Sequence, residues 1–130
     1  MPVPTNPFKA ALAKGDTGFV AWLGLAVTFS AELMGTAGFD WLVIDGEHGP
    51  NDLRSILAQL QVLEASDSHP VVRLPIGETY MVKQMLDAGA QTILVPMVES
   101  ADQARQLVRD VTYPPHGDRG VGYALTRAAR

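Results

Sequence analysis

A chain of 130 residues, 47% of them apolar and 18% charged, can bury a core and forms one domain or part of a larger one. A net charge of −4 with no basic run argues against a nucleic-acid partner, and no apolar stretch reaches the roughly 20 residues that cross a bilayer. There is no cysteine, hence no disulfide or thiol chemistry, and "MPVPTNPFKAALAKGD" lacks a signal-peptide layout, so a soluble, cytoplasmic protein is expected.

In chain order, "NPFKAALAKGD" reads as a short leading helix and "GFVAWLGL" (18–25) as a first strand. "TFSAELMGTAG" (28–38) is helical, capped by Thr28 or Ser30 and stopped at Gly38. "FDWLVID" (39–45) is the second strand. In "NDLRSILAQLQVLEAS" (51–66), Leu53, Ile56, Leu57, Leu60 and Leu63 recur at helical spacing. "PVVRLP" (70–75) is the third strand, and "ETYMVKQMLDAG" (78–89) a helix stopping at Gly89. "QTILVPM" (91–97) is the fourth strand, and Ser100 caps a last helix over 100–111.

Strands alternating with helices predict right-handed βαβ units and a parallel sheet, and near-continuous apolar strands are expected when both faces are covered. Two α/β architectures compete, a small doubly wound sheet and part of a (β/α)8 barrel. A whole barrel needs about 250 residues, so four βα units make about half of one. The arginine-rich ending "GDRGVGYALTRAAR" has no strand or cap to close the fold, which suggests truncation.

In both architectures the chemistry collects at the C-terminal ends of the strands. Asp45 closes strand two, and Glu47 and His48 follow in "DGEHGP"; Arg73 lies near the end of strand three, and Pro96 and Glu99 near that of strand four. His69 precedes strand three on the opposite face and His116 is a loop residue, so position singles out His48. "DGEHGP" is also ordinary turn chemistry. An imidazole flanked by two acids can instead move a proton or hold a metal-bound water. Arg73 puts a permanent charge inside an apolar strand and needs a partner, for which Asp45 on the neighbouring strand is the candidate. It reads either as half of a structural bridge or as a guanidinium aimed at an anion. Asp87 occupies a helix's last turn, where the macrodipole disfavours an acid. It pairs with Lys83 at the surface, or else points to the strand ends and orients His48. "RGVGYAL" lacks the third glycine and the preceding strand of a dinucleotide site, and Met81 and Met85 read as core filling.

At "FDWLVIDGEHGPND", "PVVRLP", "QTILVPMVESADQA" and "YPPHGDRGVGYALTRAAR" the chain resembles, over essentially its whole length, the HpcH/HpaI family of metal-dependent 2-keto-acid aldolases. The resemblance implies a (β/α)8 barrel, with residues 1–130 as its N-terminal half. It implies a carbon–carbon lyase that cleaves 4-hydroxy-2-keto acids to pyruvate and an aldehyde, or joins pyruvate or hydroxypyruvate to an aldehyde. His48 is then the general base, acting through a metal-bound water. Arg73 stabilises the transition state at the keto oxygen, Asp87 raises the basicity of the histidine, and Asp45 and Glu47 support them. The implied cofactor is Mg²⁺ or Mn²⁺, with Co²⁺ also accommodated. The partners are a small 2-keto acid and an aldehyde, in a homo-oligomer that resemblance makes a hexamer, with Arg119–Arg130 against a neighbouring subunit. The family's Glu and Asp metal ligands and a substrate-binding Gln belong to the second half of the barrel, beyond Arg130. The 130-residue chain by itself is therefore expected to hold no metal ligand and to be inactive. The rival expectation is a half-barrel serving as a structural or assembly module. A doubly wound phosphate binder would need a glycine-rich loop after a strand, and none is evident.

Overall fold

Among the described residues, helices alternate with short parallel strands, and side-chain caps open the first, third and fifth helices. The computed structural model describes residues 5–122, 126 and 127. Helix α1 (Pro7–Lys14) starts with proline in its first turn, where no amide hydrogen is needed; the Asn6 side chain accepts from Lys9 N–H, and Gly15 ends the helix at φ 74°. The remaining elements are β1 (Val20–Leu23), α2 (Thr28–Gly35), β2 (Trp41–Asp45), α3 (Leu53–Leu63), β3 (His69–Arg73), α4 (Thr79–Ala88), β4 (Ile93–Leu94) and α5 (Ala101–Val111). Reciprocal capping pairs open α3 (Asp52 with Ser55) and α5 (Ser100 with Gln103), and Gly89 closes α4 at φ 110°.

The four strands are parallel and lie in the order β1-β2-β3-β4. That order removes the doubly wound alternative. A doubly wound sheet reverses direction partway to cover both faces, whereas right-handed crossovers that always advance one strand put every helix on the same face. The molecule therefore has the fold of about half a (β/α)8 barrel, an arc with helices outside. Alternation along the strands sorts the side chains. Leu23, Leu42, Ile44 and Val72 face outward into a core with Ile56, Leu60 and Leu63 of α3 and Val82, Met85 and Leu86 of α4. The inward face is layered by register: Val20, Trp41 and His69 at the bottom, Trp22, Val43 and Val71 above them, and Asp45, Arg73 and Leu94 at the top. Helix α1 closes the bottom, where Phe8 meets Trp41 edge-on at 4.8 Å and Asn6 Nδ2 donates to the Gln91 carbonyl and Thr92 Oγ1.

Some boundaries differ from the sequence expectation. Strand β4 contracts from the predicted 91–97 to two residues, because it pairs only with β3 and Pro96 has no N–H to offer a ladder. Neither Thr28 nor Ser30 caps α2. Val27 is the cap residue, without a side-chain bond, and the Ser30 hydroxyl turns back to donate to the Val27 carbonyl at 2.7 Å. That helix ends at Gly35, before Gly38, and Gly35 lets α2 sit close on α3: a Cβ there would lie 2.9 Å from Ser66 Oγ and 3.0 Å from Leu63. His69 is the first residue of β3 and stands at the bottom of the arc, away from the strand ends that carry Asp45 and Arg73. Among the described residues no helix is long and apolar enough to cross a membrane.

Candidate active site

The turn after β2 is built around one carboxylate. Asp45 Oδ1 accepts the backbone N–H groups of Glu47 at 3.0 Å and His48 at 3.1 Å, folding the chain back over the end of its own strand. Two glycines permit the close approach. A Cβ on Gly46 would lie 2.6 Å from the Arg73 carbonyl oxygen, which the Gly46 N–H uses as acceptor, and one on Gly49 would lie 2.7 Å from the Asp45 carbonyl oxygen. Asn51 Nδ2 donates to the carbonyls of Asp45 (2.9 Å) and Leu23 (3.2 Å), tying the ends of β1 and β2 together. The turn chemistry read in "DGEHGP" is real, and it serves to place Glu47 and His48 over the strand ends.

Asp45 and Arg73 are direct register partners across β2 and β3, so their side chains meet on the inward face. The pairing is bidentate: Arg73 Nε donates to Asp45 Oδ1 at 2.9 Å and Nη2 to Oδ2 at 2.7 Å. Arg73 Nη1 reaches Glu47 Oε2 at 2.8 Å. The Arg73 hydrogen bond, opposed by burial and helped by the two backbone donors, lowers the Asp45 pKa to about 2. The same bond raises that of Arg73. Two of the five guanidinium N–H bonds are thereby committed as hydrogen bonds to Asp45, with Glu47 a further ion-pair partner, and three remain for a ligand. His48 is free to meet one: its side chain is 74% exposed, with Nε2 at 3.6 Å from Glu47 Oε1.

The sequence did not single out Trp22. It belongs to the inward layer directly beneath Asp45 and Arg73, and its ring lies 4.5 Å from the Arg73 Cζ. Alternation in "VAWL" opposite the buried Leu23 was the available signal.

Asp87 is not brought to this cluster within one chain. Helices run back antiparallel to the strands, so the last turn of α4 ends at the bottom of the arc. His48 is at the top, a five-residue strand away at about 3.3 Å per residue. There Asp87 Oδ1 accepts from Arg119 Nη2 at 3.1 Å and faces the Thr126 hydroxyl at 3.4 Å. The expectation that Asp87 stands behind His48 is corrected for the single chain, and its ion-pair partner is Arg119 rather than Lys83. Arg119 is buried, with its guanidinium over the Tyr113 ring at 4.6 Å, and Arg127 pairs with Glu64 at 2.7 Å. Of the tail thought to face a neighbouring subunit, residues 123–125 and 128–130 lie outside the described residues. Glu99 binds Gln103 through its backbone ahead of α5, and Met85 is in the core as expected.

Among the described residues no three His, Asp or Glu side chains converge as a metal site. Asp45 and Glu47 already direct their oxygens at Arg73, so these residues do not by themselves fit a metal centre.

A family model for HpcH/HpaI aldolase/citrate lyase matches residues 19–128. Among curated proteins, the chain is 64% identical over 129 residues to a hydroxypyruvate/pyruvate aldolase of Roseovarius nubinhibens and 60% identical to one of Roseobacter denitrificans. In both cases 99% of this chain matches 50% of the relative, so the chain spans about half the length of the curated relatives it matches. A crystal structure of an HpcH/HpaI aldolase/citrate lyase family protein from Burkholderia cenocepacia superposes with a TM-score of 0.90 at 43% identity, over 96% of this chain and 51% of that one. With the strand order, the turn after β2 and the Asp45–Arg73 pair already pointing the same way, this chain belongs to the HpcH/HpaI aldolase/citrate lyase family.

Proposed function

We propose that residues 1–130 are the N-terminal half of one barrel and supply the base and the oxyanion-binding arginine of an aldolase acting on pyruvate or hydroxypyruvate. The observation that carries this reading is an exposed imidazole beside a guanidinium held by two carboxylates, at the C-terminal ends of β2 and β3. In the addition direction, His48 removes a proton from the carbon beside the keto group. The C–H electron pair moves into the enolate, and Arg73 meets the negative oxygen with N–H bonds not committed to Asp45. The enolate carbon then bonds to the aldehyde carbonyl carbon, and the imidazolium returns a proton to the new alkoxide. Cleavage runs the same steps backwards. Asp45 and Glu47 fix the guanidinium, and the proximity of Glu47 steadies the protonated imidazole.

Dependence on a divalent cation, Mg²⁺ or Mn²⁺, and assembly into a homo-oligomer belong to the same proposal by family likeness. The cation's ligands come from outside the described residues, and no step above passes through it. The one-sided pairing of β1 and β4 favours a second reading for the 130-residue chain alone, a half-barrel that must complete its sheet before it acts. Exchange of the pyruvate methyl protons in deuterated buffer, with and without a chelator, tests the proposal. Chelator-sensitive exchange by the complete protein supports it, and undiminished exchange after exhaustive chelation overturns the metal dependence. Exchange by the 130-residue chain alone would overturn the second reading.

A further inference from the structure

We infer that Trp22 is the floor of the anion site and a positioning residue for Arg73, setting the tilt of the guanidinium so that an oxyanion must approach in its plane. This rests on the reading of Arg73 as the oxyanion-binding group, and it extends that reading to a residue on a different strand.

The register supplies the geometry. Trp22 pairs with Val43, and Val43 with Val71, which puts the indole one layer below Asp45 and Arg73 on the same inward face. Just past the end of β1, the position that continues the inward alternation is Gly24, which has no side chain and nothing within 4 Å of where a Cβ would stand. The space beside Asp45 is thus open from above, while the indole fills it from below, 4.5 Å from the Arg73 Cζ. The guanidinium's hydrogen bonds run along one edge, Nε and Nη2 to Asp45, while Nη1 lies 2.8 Å from Glu47 Oε2 as an ion pair. Contacts of that kind fix rotation within the plane but leave the group able to rock about the bidentate edge. A ring against one face removes that freedom and adds the attraction of a cation for an aromatic quadrupole. It also keeps water off that face, so the N–H bonds not committed to Asp45 are offered edge-on, the geometry that suits a carboxylate or an enolate oxygen. Leu23, its strand neighbour, points the other way into the core under the helices, whereas the Trp22 ring shares the inward face with Arg73 and meets its guanidinium.

The test compares Trp22→Phe, which keeps an aromatic face, with Trp22→Leu, which keeps bulk without one. Two readouts are used. The first is the Arg73 Nε–H resonance, which a ring current shifts in the wild type (from the indole) and in Trp22→Phe (from the phenyl ring). It should lose that shift in Trp22→Leu. The second is affinity for oxalate, a planar dianion. A contact of this class corresponds to about a 2- to 30-fold weakening in Trp22→Leu, largely restored in Trp22→Phe. In an Arg73→Lys background the two Trp22 variants should bind oxalate equally. An Arg73 resonance unmoved in Trp22→Leu, or equal affinity losses in Trp22→Phe and Trp22→Leu with Arg73 intact, overturns the inference. Failure of the wild type to bind oxalate would instead remove the oxyanion role of Arg73, and the resonance shift would still decide whether Trp22 positions it.

Discussion

Asp45 and Arg73 stand side by side in register on β2 and β3 and are joined by two hydrogen bonds of 2.9 and 2.7 Å along one edge of the guanidinium. A permanent cation in an apolar strand is tolerated because the adjacent strand ends in its counter-ion at the same level. The pair does two jobs, since Asp45 also accepts the two amides that shape the turn carrying His48.

Stability should therefore depend on the ionisation of Asp45. Its folded pKa of about 2 lies below the ordinary 3.8, so the stabilisation is fully present above pH 3.8 and is lost as pH falls through about 2. With allowance for water at the open strand end, the contribution is about 1 to 2 kcal/mol at neutral pH. Urea midpoints of the wild type and Asp45→Asn should be well separated at pH 6 and converge between pH 4 and pH 2. A constant gap across that range would show that the pair's charge does not stabilise the fold.

Removing the imidazole should separate chemistry from folding. His48→Ala is expected to slow pyruvate proton exchange by the complete protein at least about 100-fold, the usual size of a general-base contribution. The melting temperature should barely move, because the side chain is 74% exposed and its backbone N–H still reaches Asp45. Exchange at the wild-type rate would remove His48 from the mechanism.

Gly46 should not tolerate even one methyl group. A Cβ there would sit 2.6 Å from the Arg73 carbonyl oxygen, a backbone atom that cannot step aside without disturbing β3. Gly46→Ala is expected to cost about 1 to 3 kcal/mol by denaturant unfolding and to weaken anion binding at Arg73 as well. An alanine variant of wild-type stability would mean that β2 and β3 separate more easily than their register implies.

At the other end of the arc, Asp87→Ala would remove the carboxylate that pairs with the buried Arg119, whose guanidinium also lies over the Tyr113 ring. Asp87 is partly exposed, so a loss of about 2 kcal/mol is expected, below the range for a fully buried pair. A double-mutant cycle with Arg119→Met checks it. Additive losses would show that Asp87 and Arg119 are not coupled.

The alternation of short apolar strands with capped helices was legible in the residues because hydrophobic period, caps and glycine stops act over a few positions. So was the expectation that Arg73 needs Asp45, since an unpaired charge inside an apolar strand is costly wherever that strand lies. The family likeness, written in "DGEHGP", "PVVRLP" and "YPPHGDRG", was likewise present in the chain itself. Local periodicity left two windings of the same βα units open; the family likeness implied the barrel, and the strand order shows it, because that order is a relation among segments that local periodicity does not encode. Only the tertiary structure decided which end of α4 faces the site, and so separated Asp87 from His48, and it brought Trp22 beneath an arginine two strands away. Spacing along a chain reports what a residue can do locally, but register and layer determine which residues meet.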